Sequence, residues 1–273
     1  MKLKAYAKIN LSLNVLGVKD GYHDLESVVA QISLCDEITI RKSKDISVSY
    51  GSSFSISPEQ DNAYKACKLF MEEFGTGGAE IKITKKIPSK AGLGGSSADS
   101  VGVIRGMQAL YGIEDENRIQ KILARAGSDC PVQYAGGYSL MRGRGETVDK
   151  INSHKKLYAV ILTEPKGVNT AECFAVCDKS EPEKSNTEEL IRYLTAGKRG
   201  EMPELKNALY LPSTELNERV KDNLELLKGY FDRVNMSGSG SAVYGITENR
   251  RSAKRAYKKL VELGYKVFFV KVG

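Results

Sequence analysis

The 273-residue chain is 41% hydrophobic and 27% charged, with a formal net charge of +7. That is enough material for two moderate domains with real cores, and no apolar run approaches the ~20 residues that span a bilayer, which excludes a helical membrane protein. Cys35, Cys67, Cys130, Cys173 and Cys177 are odd in number and scattered, so free thiols are expected, not a disulfide scaffold or a four-ligand zinc site.

The start, Met1 to Lys8, is basic, and Asn10, Ser12 and Asn14 interrupt the next stretch, so it lacks the apolar core of a secretion signal and cytoplasmic residence is expected. Leu11–Leu16, Glu37–Arg41 and Ile46–Tyr50 alternate as strands do, with Lys19-Asp20-Gly21 as a turn signal. A helix is predicted over 62–74, capped by Asp61 or Asn62 and stopped by Gly75. The strand Ala79–Thr84 leads to Pro88-Ser-Lys-Ala91-Gly92-Leu93-Gly94-Gly95-Ser96-Ser97, and a long helix comes next, with Val101, Ile104 and Leu110 near one face and Gly112 as its stop. A second helix, Glu114–Ala126, ends at Gly127-Ser-Asp129-Cys130-Pro131, and two hairpin strands are predicted at about Val132–Met141 and Glu146–Val148.

The polar stretch Lys150–Lys155 marks a boundary, giving domains 1–152 and 153–273. Beyond it come the apolar strand Leu157–Leu162, a biased surface loop at Lys179–Thr187, helices near 187–195 and 214–228, and a strand at Arg233–Asn235. The run Met236-Ser237-Gly238-Ser239-Gly240-Ser241, the strand Ala242–Ile246, a helix at 249–263 and the strand Lys266–Val270 complete an α+β pattern.

The loop at 88–97 carries the most chemistry. Glycines let a backbone approach a phosphate, and the unpaired N–H groups at a helix start carry partial positive charge that binds it. It is not a Walker loop, since no lysine follows the glycines, nor a dinucleotide fingerprint, since Ser97 stands where the third glycine belongs. On its own it is equally a Gly-rich turn before an ordinary helix. The charge is also localised: residues 247–273 hold eight Lys/Arg against Glu248 and Glu262. The expected reading is the solvated face of a helix whose Ala253, Ala256, Tyr257, Leu260 and Val261 face the core. The competing one is an RNA-binding patch, although aromatic stacking residues are scarce there.

Several stretches, in order, resemble motifs of the GHMP kinase superfamily: Ala7-Lys8-Ile-Asn10-Leu11, Asp20-Gly21-Tyr22-His23, Pro88 through Ser97, Gly127-Ser-Asp129-Cys-Pro131, and Met236 through Ser241. The resemblance implies a two-domain α+β fold, with an N-terminal ATP-binding domain of ribosomal-protein type, a C-terminal ferredoxin-like domain and the active site in the cleft between them. It implies an ATP-dependent small-molecule kinase using Mg²⁺. The Tyr22-His23 pair points to members that phosphorylate the 2-hydroxyl of cytidine diphosphate methylerythritol in non-mevalonate isoprenoid precursor synthesis. Another alcohol kinase, or a weakly active paralogue, is the alternative. Neither nucleic acid nor membrane is an expected partner, and oligomeric state is left open.

By that resemblance Asp129 takes the proton of the substrate hydroxyl, and Lys8 lies beside Asp129 and the transferred phosphate. A lysine there makes Asp129 a weaker base, so it mostly orients and polarises the hydroxyl, with proton transfer late. Pro88, Ala91, Gly92, Leu93, Gly94, Gly95, Ser96 and Ser97 hold the ATP phosphates, Ser97 also reaches Mg²⁺, and Asn62 lies near the adenine. Tyr22 and Phe174 sandwich the cytosine, His23 bonds its edge, and Asn10 and Thr170 touch the substrate near the reaction centre or diphosphate. Ser237, Gly238, Ser239 and Gly240 line the cleft from the second domain. Three departures stand out: the loop is one glycine short, Ala208 and Tyr210 occupy acidic positions of the family, and Cys130 replaces a valine.

Overall fold

The computed structural model describes residues 1–19, 21–51, 56–180, 183–197 and 200–273, so Asp20 of the expected turn and motif lies outside the described residues. In chain order the elements begin with β1 (Lys2–Asn10), β2 (Asn14–Lys19), β3 (Tyr22–Ser43), β4 (Ser47–Tyr50), α1 (Asn62–Phe74), β5 (Gly78–Thr84) and α2 (Gly95–Tyr111). Next are α3 (Glu116–Ala126), α4 (Cys130–Ala135), β6 (Tyr138–Gly143), β7 (Thr147–Ile151), β8 (Leu157–Leu162), α5 (Thr170–Cys177) and α6 (Thr187–Thr195). The chain ends with α7 (Tyr210–Leu216), α8 (Arg219–Lys228), β9 (Arg233–Met236), β10 (Val243–Thr247), α9 (Arg250–Glu262) and β11 (Val267–Val272).

Two compact units interleave along the sequence. The first takes Met1–Ala7, Leu34–Ile87 and Gly94–Ala135; the second takes Lys8–Ser33, Pro88–Leu93 and Gly136–Gly273. In the first, the C-terminal half of β3 pairs antiparallel with β5, from Glu37↔Thr84 to Ser43↔Gly78, and β4 lies parallel on the outer side of β5. Strict alternation decides which face is covered. Ile38, Ile40, Ile81 and Ile83 are buried, while Glu80 and Lys82 are exposed. Helices α1 and α2 pack with these strands and α3 packs with both helices, and Phe70, Ile104, Met107 and Ile122 are buried. Asp61 caps α1 by accepting from Ala63 N and Tyr64 N, and Gly75 ends it at φ 65°.

In the second unit the N-terminal half of β3 pairs antiparallel with β2 and β6, and β6 with β7. β8 is central to the remaining strands, with β10 on one side and β11 on the other, both antiparallel, and β9 beyond β10. Val160, Leu162, Val220, Leu227, Val243, Ala253 and Leu260 form one apolar cluster there. On α9 the basic side chains fall on the exposed side and Ala253, Ala256 and Leu260 on the buried side. Val261, expected to face the core, is 48% exposed.

Other differences from the expected elements have local causes. β1 is a strand throughout, and the alternation read at 11–16 begins as a strand only at Asn14. Asp115 caps α3 by accepting from Arg118 N, so that helix starts at 116. A short helix, α4, occupies the start of the first expected hairpin strand, because Pro131 sits in a first helical turn, where its missing N–H costs nothing. The helix expected at 214–228 is broken at Asn217, which is extended and whose side chain caps the next helix through Arg219 N.

Candidate active site

At the end of β1, alternation turns Lys8 and Asn10 inward, and both are buried. Lys8 Nζ donates to Asn10 Oδ1 at 2.8 Å, and Gly238 N donates to the same oxygen at 2.9 Å. Both partners are donors only, which fixes the amide with its oxygen facing them. Asn10 Nδ2 donates to Ser27 Oγ at 2.8 Å, and Asn10 O accepts from Tyr244 Oη at 2.7 Å. Asn10, expected to touch substrate, is thus the hub that orients the lysine and the second glycine motif.

That motif is held on every side within the second unit. Asn207 Nδ2 donates to Met236 O and Gly238 O, each at 2.9 Å, and Asn207 Oδ1 accepts from Leu209 N. Ser213 Oγ donates to Ser239 O, and Thr170 Oγ1 lies 2.9 Å from Ser239 Oγ. Ser237 Oγ donates to Gly92 O at 2.8 Å, Ala242 N to Ala91 O at 3.0 Å, and Lys8 N to Leu93 O at 3.1 Å. Residues 91–93 are therefore stitched both to β1 and to the turn at 237–240. Asn207, the neighbour of Ala208, was not singled out in the sequence, because its clamp on two carbonyls has no local signal beyond the residue type.

In the first unit the chain leaves Gly94 at φ 68° and enters α2 with no side-chain cap among the described residues. No acidic residue occupies the first turn, so the helix start keeps the polarity that suits an anion. Gln133 Nε2 donates to Gly94 O at 3.0 Å, and the Cys130 thiol lies 3.9 Å from Ser97 O. A β-carbon on Gly127 would lie 3.5 Å from Ser97 Oγ. The turn that carries Asp129 is therefore beside the serine end of the loop. Burial pushes the Cys130 thiol up to about 12, which leaves it un-ionised at neutral pH and without a nucleophilic role. Asn62 heads α1, and its carbonyl accepts from Ser100 Oγ of α2 at 3.1 Å.

A second charged group supports the same helix. Lys85 Nζ donates to Asp36 Oδ2 and to Asp99 Oδ2, while Asp36 Oδ1 accepts from Lys86 N and Ile87 N. Asp99 Oδ1 is buried with no hydrogen-bond partner among the described residues. Burial pushes the Asp99 carboxyl up to about 7, against the opposing charge of Lys85.

The residues expected to meet a base cluster in the second unit. Tyr22 is 51% exposed, with the Arg144 guanidinium carbon 3.3 Å from its ring centroid. Phe174, on α5, stacks against the His23 ring at a centroid distance of 4.3 Å and 23° between planes. His23 Nε2 lies 2.8 Å from Asp178 Oδ1. Arg144 and Asp178 were not singled out in the sequence, since neither falls within a recognised motif.

No group of three or more His, Cys, Asp or Glu suited to a metal occurs among the described residues. Among them, too, no helix is long and apolar enough to cross a membrane.

Residues 61–137 match the family described as GHMP kinases N terminal domain, and residues 184–266 match GHMP kinases C terminal. The chain belongs to the GHMP kinase family, and its mixed α+β fold carries the N- and C-terminal domains of that family, whose members take phosphate from ATP. The 4-diphosphocytidyl-2-C-methyl-D-erythritol kinase of Clostridium tetani is 37% identical over 267 residues, 95% of each chain. The enzyme of the same name from Carboxydothermus hydrogenoformans is 35% identical over 273 residues, covering 97% of this chain and 95% of its own. A crystal structure of 4-(cytidine 5'-diphospho)-2C-methyl-D-erythritol kinase superposes with a TM-score of 0.85 at 29% identity, over 100% of this chain and 99% of the other. A mevalonate kinase from L. major shares the fold at a TM-score of 0.76 and 16% identity, over 100% of this chain and 95% of its own.

Proposed function

We propose that the chain is an ATP-dependent kinase that phosphorylates the 2-hydroxyl of 4-diphosphocytidyl-2-C-methyl-D-erythritol, a step toward isoprenoid precursors outside the mevalonate route. The observation that carries this reading is full-length similarity, 37% over 95% of both chains, to enzymes of that name. The exposed Tyr22 and the adjoining His23 and Phe174 supply the aromatic surface and polar edge that a cytosine requires.

Phosphoryl transfer depends on positioning and charge stabilisation more than on covalent work by the protein. In this reading the amides of residues 92–97 receive the ATP phosphates, with Ser96 and Ser97 as hydroxyl partners and Asn62 near the adenine. Ser97 would hold Mg²⁺ brought with ATP, and the ion would supply charge neutralisation at the phosphates. Asp129 orients the substrate hydroxyl and accepts its proton as the oxygen bonds to the γ-phosphorus and ADP leaves. Lys8, aimed by Asn10, supplies positive charge to the transferred group. Thr170 and Ser237–Gly240 complete the alcohol side. Residues 1–152 and 153–273 are taken as the two domains, and the cytoplasm as the compartment where both substrates meet.

The test is product identification. Purified protein, ATP, Mg²⁺ and the cytidine diphosphate alcohol are incubated, and the product is analysed by phosphorus NMR. A new monoester on the 2-carbon supports the reading; phosphate on another hydroxyl, or none beside an active control enzyme, refutes it.

A further inference from the structure

Helix α5 grips one imidazole at two points, one helical turn apart. Phe174 lies against the face of His23 at 4.3 Å, and four residues on Asp178 meets its Nε2 at 2.8 Å. The i, i+4 spacing puts both on one side of the helix. The main chain at Asp178 is fixed as well, since its N–H donates to Phe174 O at 2.9 Å. Asp178 also sits at the helix C-terminus, where the exposed carbonyls disfavour a negative charge. The carboxylate in that place meets the ring nitrogen Nε2 of His23.

The chemistry of this pair has a consequence for the other ring nitrogen. An ionised carboxylate only accepts hydrogen bonds, so Nε2 carries the proton, and in the neutral ring Nδ1 is then an acceptor. An acceptor in that place is matched by the exocyclic amine of cytosine. It is mismatched to uracil, which presents a carbonyl oxygen at the same position. We infer that Asp178 is a positioning residue that fixes the tautomer and orientation of His23 and thereby makes the site select cytosine over uracil. This rests on the reading that a cytidine diphosphate alcohol is the substrate and that His23 meets its base. Phe174, in the same arrangement, holds the imidazole in plane.

The experiment compares kcat/KM for the cytidine diphosphate alcohol and its uridine counterpart in the wild type and in Asp178→Ala, Asp178→Asn and His23→Ala. Removing a group that enforces a base-reading hydrogen bond is expected to cut the cytidine preference about tenfold in Asp178→Ala. The change should fall on KM for the alcohol and leave KM for ATP in place. Asp178→Asn, whose amide oxygen still accepts from Nε2, should restore most of the preference, which a loss of folding would not permit. If His23→Ala loses the preference while Asp178→Ala keeps it, the positioning role is wrong and the substrate reading stands. If His23→Ala leaves KM for the cytidine substrate unchanged, the reading of the base site fails together with the inference.

Discussion

Gly92 and Ser237, 145 residues apart, approach so closely that a β-carbon on Gly92 would lie 2.0 Å from the Ser237 carbonyl oxygen. Gly92 also holds φ at 75°, a region costly for any residue with a side chain. Gly92→Ala therefore meets a backbone obstacle and a strained dihedral together, and is expected to cost about 2–4 kcal/mol. Urea unfolding of the two proteins checks this; a loss within error of zero would show that the two backbones have room to separate.

Asn10 is the next position at risk. Its Oδ1 takes hydrogen bonds from Lys8 Nζ and Gly238 N, so Asn10→Ala removes a buried acceptor from an ammonium and an amide at once. Truncating a buried partner of this kind costs about 1–3 kcal/mol. Because the lysine loses its aim, kcat should fall more than KM for either substrate. Steady-state kinetics on a variant confirmed as folded decides it, and an unchanged kcat would place Lys8 outside the chemistry.

Asp129→Asn should abolish turnover, by at least about a thousandfold, because an amide neither accepts the hydroxyl proton nor orients it with charge. ATP binding, which rests on the backbone of the loop, should survive and is measured by calorimetry. Full activity in this variant would remove Asp129 from the mechanism.

Much of this architecture was readable from residue types that act locally. Asp61 and Gly75 bounded α1, Gly112 ended α2, and the apolar run 157–162 is β8 without adjustment. β1 was hidden because its buried positions Ala5 and Ala7 are small and its flanking lysines read as a basic tip. α5 is eight residues long, too short for a periodic signal, and depends on Asn169 as cap. The motif positions of the site were legible as a resemblance, whereas the partners of Asn10 were not. Ser237, Gly238 and Tyr244 lie more than 220 residues away, and only the folded chain brings them together.

Asp99 gives a pH signature. Its folded carboxyl titrates near 7 because of burial, while the unfolded one titrates near 3.8. Between those values the folded state binds more protons than the unfolded state, so this group's contribution to stability falls as pH rises through that window. Asp99→Asn cannot titrate. The stability of the wild type relative to Asp99→Asn should therefore be greater at about pH 5 than at about pH 7.5, read from urea midpoints at both. An equal difference at the two pH values would mean that Asp99 stays ionised throughout.

The most direct measurement is the initial rate of ADP release with saturating ATP and Mg²⁺, comparing 4-diphosphocytidyl-2-C-methyl-D-erythritol with mevalonate and homoserine. The expected result is rapid, protein-dependent release with the cytidine alcohol and background with the other two. Background with the cytidine alcohol, or preference for an alcohol that carries no base, would contradict the proposed function.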